Sequence, residues 1–203
     1  MLKQLTMAMG LVAAMTTTGS AASVYGTPAD LTGSRSGATE ITGTGTGNFY
    51  TGLSVSWSIL HPNANEWDYS YTFTSNAQKP AFSHLILEVT KGTTLADFTH
   101  LAVTGDSGAT FDAPTTYTPG GNGGSDPNLP ADIYGIKITP SNSLLTMTVT
   151  FSSTHEPVWG NFYVTGANGG PNSSQAYNTG MAVADFNSDN VLMFIARPDG
   201  SGA

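Results

Sequence analysis

The chain has 203 residues, 10% of them charged, no cysteine, and a formal net charge of −8. The charged fraction is well below the roughly 25% of an average protein, and six Lys and Arg residues are too few for the clustered cations that phosphate binding needs, which excludes nucleic acid as a partner. The absence of cysteine excludes disulfides and thiolate metal sites.

The chain begins with an export pattern. Lys3 supplies a positive charge, Leu5 to Met15 is a mostly apolar run, and Thr16 to Ala22 is small and polar. Charged, apolar and small-residue regions in that order are the marks of a secretory signal. The apolar run is too short for a membrane span of roughly 20 residues. Residues 1–22 are therefore expected to be removed, leaving a chain of roughly 180 residues, enough for one domain with its own core. A secreted chain of that size without disulfides fits a bacterial exported protein. The rest divides into a Gly/Ser/Thr-rich leader or edge strand over residues 23–47 and a folded domain over residues 48–203.

From residue 53 onward, short period-two runs alternate with turn signals. Leu53, Val55, Trp57 and Ile59 alternate with Ser54, Ser56 and Ser58. Trp67, Tyr69, Tyr71 and Phe73 alternate with Asp68, Ser70, Thr72 and Thr74. Both read as strands with one wet face. His84 to Thr90, apolar through Leu85-Ile86-Leu87, reads as a central strand covered on both faces. Thr93 to Phe98 reads as one helical turn capped by Thr93 or Thr94, and Leu101 to Thr104 as a short strand. Pro114 to Pro130, with four prolines and four glycines, reads as a long loop. Ile133 to Thr139 and Leu145 to Phe151 read as a hairpin turning at Pro140-Ser141-Asn142. Val158 to Thr165, Ala176 to Val183 and Val191 to Ala196 complete about nine strands. The pattern predicts an all-β fold, an antiparallel β-sandwich of jelly-roll type.

The chemistry-bearing groups are sparse. Asp185, Asn187 and Asp189 place oxygen ligands at alternate positions, as at the opening of a calcium loop. Asn190 stands where glycine is wanted, and the closing acid would fall at Ala196. The segment reads first as a polar turn and second as a weak calcium site, the one cofactor in view. The stripe Trp67, Tyr69, Tyr71, Phe73 reads first as core. Trp67, Trp159, Tyr163 and Tyr177 are the candidates for stacking on sugar rings, on the condition that they share an exposed platform. The histidines at 61, 84, 100 and 155 have no metal-ligand spacing, there is no G-x-S-x-G elbow, and the carboxylate pairs Glu66/Asp68 and Asp126/Asp132 are of a kind that any acidic chain offers. Gly121-Asn122-Gly123-Gly124 lacks the Lys-Ser/Thr of a phosphate loop. The Asn172-Ser173-Ser174 sequon matters only in a glycosylating host.

One stretch is more specific. Glu156-Pro157-Val158-Trp159-Gly160-Asn161-Phe162-Tyr163 leads through Gly169-Gly170 to Ala176-Tyr177-Asn178-Thr179-Gly180 and then to Phe194-Ile195-Ala196-Arg197-Pro198-Asp199-Gly200. With the earlier Phe82-Ser83-His84-Leu85-Ile86-Leu87-Glu88-Val89, this order resembles the ectodomains of PEP-CTERM, or exosortase-sorted, bacterial surface proteins, over roughly residues 50–200. The sequence ends at Ser201-Gly202-Ala203 without the family's Val-Pro-Glu-Pro motif, membrane span and basic end. The resemblance implies an exported protein, extracellular or on the outer surface of a Gram-negative-type bacterium, associated with exopolysaccharide and biofilm matrix. The expected function is therefore that of a non-catalytic matrix protein with extracellular polysaccharide as partner. A carbohydrate-binding module, a filament subunit self-associating through the edge at 41–47 and a secreted hydrolase are the other readings.

Overall fold

The structure is a computed structural model, described here for residues 30–44, 52–75, 81–120, 126, 128–166, 174–182 and 190–199. Residues 1–22, residues 23–29 and 45–47 of the Gly-rich leader, and the Asp185–Asp189 segment lie outside the described residues.

Thirteen strands occur among the described residues: β1 (Asp30–Ser36), β2 (Ile41–Thr44), β3 (Ser54–Asn63), β4 (Glu66–Thr74), β5 (Phe82–Glu88), β6 (Phe98–Val103), β7 (Thr110–Tyr117), β8 (Ile133–Thr139), β9 (Thr146–Ser153), β10 (Pro157–Gly160), β11 (Phe162–Gly166), β12 (Gln175–Asn178) and β13 (Ile195–Pro198). A five-stranded sheet has the order β1-β3-β4-β9-β6, a six-stranded sheet the order β2-β12-β11-β5-β8-β7, and β10 pairs with β13 alone. All pairings are antiparallel. Among the described residues, helix is confined to 3₁₀ turns at Leu95–Asp97, Thr179–Ala182 and Val191–Met193, and none of them is long and apolar enough to cross a membrane.

The two larger sheets bury one face each in a common core. Val55, Trp57, Ile59, Tyr69, Tyr71, Phe73, Met147, Val149 and Phe151 come from the five-stranded sheet, and Phe82, Leu85, Leu87, Ile136, Ile138, Phe162 and Val164 from the six-stranded one. Phe73 meets Phe162 across the gap, ring centroids 5.3 Å apart at 63°, an edge contact of the kind that adds about 0.5–1.5 kcal/mol to area burial. The all-β sandwich follows directly from the period-two patterning, and the aromatic stripe of β4 is core throughout: Trp67 is the most exposed of its four rings at 8%. β5 is covered on both faces as its apolar run predicts. Leu85 and Leu87 enter the common core, while Ile86 joins a second cluster with Tyr117, Leu129, Ile133, Tyr163, Tyr177 and Met181 on the outer side of the six-stranded sheet.

Other expectations are corrected. β8 and β9 are not a hairpin: β8 pairs with β5 and β7, and β9 with β4 and β6. The turn at Pro140-Ser141-Asn142 carries the chain from one sheet to the other. It is held there by Asp106, whose carboxylate accepts from the backbone N–H of Ser141 (2.7 Å), Asn142 (3.1 Å) and Gly108 (3.2 Å) and from the Ser141 hydroxyl. Those bonds, the Ser141 hydroxyl first, hold the carboxyl below the usual aspartate range. Residues 114–117, expected in a loop, belong to β7, where Pro114 sits in a bulge between Asp112 and Thr115 at the sheet edge, a position that asks no ladder donor of it. The leader contributes two edge strands, one to each sheet. The expected run 158–165 is broken at Asn161 into β10 and β11.

The first strand is locked by its own composition. Gly33 lies against Trp57, where a Cβ would fall 2.1 Å from the indole. Arg35, 6% exposed, lies 4.9 Å from the Trp57 ring and 5.5 Å from that of Trp159, and donates to the carbonyls of Phe194 (2.8 Å) and Val191 (3.0 Å). It ties β1 to the C-terminal strand pair. The turn at Leu95–Asp97 is capped at Thr94, whose N–H donates to Asp97 Oδ2 at 2.6 Å, as the capping pattern requires.

Candidate functional site

The two outer faces of the sandwich differ. Over the six-stranded sheet lies the second apolar cluster. The outer face of the five-stranded sheet carries a lattice of hydroxyls, and cross-strand register assembles it. Ser36, Ser54, Thr74 and Thr146 form one row across β1, β3, β4 and β9; Ser34, Ser56, Thr72 and Thr148 form the next; Thr32, Ser58, Ser70 and Thr150 form the third. All twelve positions are Ser or Thr, so these rows present a surface with no charged side chain. Strand geometry spaces neighbouring hydroxyls by about 4.8 Å across strands and about 6.7 Å along them. Thr72 and Thr148 hydrogen bond through their hydroxyls at 3.0 Å, which shows the side chains in lateral contact.

A fourth row ends the lattice differently. Leu60 pairs with Asp68, and Asp68 with Ser152. The Ser152 hydroxyl donates to Asp68 Oδ1 at 2.6 Å. Here a depression of about 280 Å³ opens, lined among others by Ser58, Leu60, Asp68, Ser70, His100 and Thr150. Two irregularities shape it. β3 shifts register after Leu60, and β6 carries an extra residue between Thr99 and Ala102. That bulge holds His100 at φ +55°, a conformation uncommon for a residue other than glycine, and leaves it exposed. Leu60 is 46% exposed.

The aromatic candidates lie elsewhere and apart. Trp67 is buried and stacks on His61, centroids 3.9 Å apart. Trp159, half-buried, meets Trp57 edge-on at 6.4 Å. Tyr163 and Tyr177 are brought together as register partners in β11 and β12, inside the second cluster. Burial raises both hydroxyls above the usual tyrosine range. The four do not form one exposed platform. Asp185, Asn187 and Asp189 lie outside the described residues, and among the described residues no group of three or more His, Asp and Glu could hold a metal ion. Glu66 and Asp68 line different depressions. Asp126 is buried, whereas Asp132 is exposed.

Asp126 is the centre of a cluster that spacing along the chain does not announce. His84 Nε2 lies 2.8 Å from its Oδ1, Lys137 Nζ donates to the same oxygen at 3.0 Å, and the Thr165 hydroxyl is 3.2 Å from His84 Nδ1. Burial raises the Asp126 carboxyl, but the hydrogen bonds from His84 and Lys137 outweigh it and hold the group down at about 2. Burial keeps His84 below its ordinary value against the pull of Asp126. Tyr117, with its ring 5.5 Å from Lys137 Nζ, is pushed up to about 12 by burial and by the charges of Asp112 and Asp126. A hydroxyl, an imidazole and a carboxylate in series have the order of a nucleophilic triad. Thr165 and Asp126 are each 2% exposed and His84 is 6% exposed, so the series is closed to a substrate. It ties residue 126 of the long connection between β7 and β8 to β5 and β8.

No family model, no curated protein and no solved structure matches this chain.

Proposed function

We propose that this chain is an exported, non-catalytic β-sandwich of the bacterial cell-surface matrix, which contacts neutral, hydrated polysaccharide through the outer face of its five-stranded sheet. The observation that carries this reading is the lattice of twelve Ser and Thr side chains in three rows across β1, β3, β4 and β9. Each hydroxyl is both donor and acceptor, so the face can exchange hydrogen bonds with water or with sugar hydroxyls in either direction. The three rows carry no charged side chain, so their contacts are insensitive to salt. The export pattern of residues 1–22 and the resemblance to exosortase-sorted ectodomains support the location. Closure of the Thr165–His84–Asp126 series supports a role without catalysis.

The test is retardation of the chain from Ser23 onward in native gels cast with dextran, with laminarin or with alginate. The reading expects slower migration in a neutral polymer, unchanged by added salt. Equal mobility in all three gels and in plain gel would sink it.

A further inference from the structure

We propose that the depression at the end of the hydroxyl lattice is a subsite for a single neutral hexose unit, with Asp68 as its hydrogen-bond acceptor and Leu60 and His100 as its walls; this rests on the polysaccharide reading of the same face. The volume of about 280 Å³ lies just below the roughly 300–1,000 Å³ of sites that take drug-sized molecules, so it suits one ring of a chain that runs on across the open rows.

The lining has the mixed chemistry that a pyranose presents, apolar C–H faces and a polar rim. Leu60 supplies exposed apolar surface. His100 supplies an exposed ring, carried there by the β6 bulge. Bulges beside a site re-aim side chains, and a residue held in the left-handed region near a pocket marks a place where the fold sustains strain for a use. Asp68 already accepts from Ser152 through one oxygen, and a carboxylate has lone pairs for further donors. Bonds from sugar hydroxyls to it are charge-assisted. Ser58, Ser70 and Thr150 complete the rim with groups that both donate and accept. Among the described residues the lining includes no Lys or Arg, so an anionic sugar would meet Asp68 uncompensated there. The geometry therefore selects a neutral hexose and discriminates against a uronic acid or a phosphorylated sugar.

The experiment is calorimetric titration of the chain from Ser23 onward with neutral tetrasaccharides of glucose, galactose and mannose and with an alginate tetrasaccharide. It is run on the wild-type chain, on Asp68→Asn, on His100→Gly, and on a Ser54→Ala/Thr146→Val pair in the row farthest from the depression. His100→Gly suits the left-handed backbone and keeps the fold; melting curves verify this for every variant, and Leu60→Ser replaces any that fails to fold. The subsite predicts binding of at least one neutral tetrasaccharide, weakened about tenfold or more in Asp68→Asn and in His100→Gly and less in the distant pair. Wild-type affinity in both subsite variants overturns the subsite and leaves the broader face standing. Stronger binding of the alginate tetrasaccharide overturns the neutral-sugar assignment. Failure of the wild-type chain to bind any of the four, when it is also unretarded by polymer, removes both.

Discussion

Replacing Asp126 by alanine removes one carboxylate from the centre of a buried cluster and leaves the Lys137 ammonium and the His84 ring without it. The carboxyl is held at about 2 against an ordinary 3.8, which at about 1.4 kcal/mol per pH unit is about 2 kcal/mol at neutral pH. Solvent screening at Lys137, the most open member of the cluster, lowers that to about 1–2 kcal/mol. Stranding two donors whose shared acceptor, Asp126 Oδ1, lay at 2.8 and 3.0 Å adds about 1–2 kcal/mol. The expected loss is about 3 kcal/mol, or about 6–12 °C in melting temperature for a domain of this size. Asp126→Asn, which keeps a carbonyl to accept from both neighbours, is expected to lose about half as much. The pH dependence follows in sign. The depressed carboxyl stabilises the fold above its unfolded value of 3.8 and loses that contribution as pH falls towards 2. His84, also lowered, keeps its proton off in the native state while the unfolded chain takes one up, so stability also declines as pH falls below about 6.5. Thermal melts followed by circular dichroism from pH 8 to pH 2 read both. A melting temperature for Asp126→Ala within about 1 °C of wild type at pH 7 would refute the reasoning, as would a wild-type fold that strengthens on acidification from pH 6.5.

Gly33→Ala forces a Cβ to 2.1 Å from the Trp57 ring, and Trp57 is 3% exposed; overpacking of this kind is expected to cost about 1–3 kcal/mol in chemical denaturation. Tyr71→Phe deletes the hydroxyl that donates to the Ala196 carbonyl at 2.9 Å in the interior, with an expected loss of about 1–2 kcal/mol by the same assay.

Much of the sandwich was legible because period two is a local signal. β3, β4 and β9 each show their buried set in the sequence, and the capping pattern at Thr94 shows its turn. Partners across strands were not legible. Alternation in Ile133–Thr139 and Leu145–Phe151 says which side chains face inward but not which sheet each strand joins, so two strands one turn apart read as a hairpin although Asp106, 35 residues before Ser141 in the chain, pins the turn between sheets. β7 was hidden by Pro114, which only an edge position with a bulge tolerates.

The candidate site follows the same division. The wet residues Ser54, Ser56 and Ser58, Ser70, Thr72 and Thr74, and Thr146, Thr148 and Thr150 are plain in the sequence. That they meet in rows is a property of register. Likewise the His84–Asp126–Lys137 cluster joins residues far apart in the chain through the β5–β8 pairing and the chain at 126. The aromatic candidates had the right residue type for sugar stacking, but Trp67, Tyr163 and Tyr177 sit on the inward phase of their strands or under the second cluster, where burial takes them.

The most direct test of the account replaces hydroxyls of the central row while keeping shape and strand preference: Ser56→Ala, Thr72→Val and Thr148→Val in one chain. Affinity electrophoresis in laminarin or dextran, whichever retards the wild-type chain, compares the two. The account predicts a variant that folds, melts within a few degrees of wild type and loses most of its retardation. A folded variant retarded as strongly as wild type would contradict the claim that this face is the binding surface.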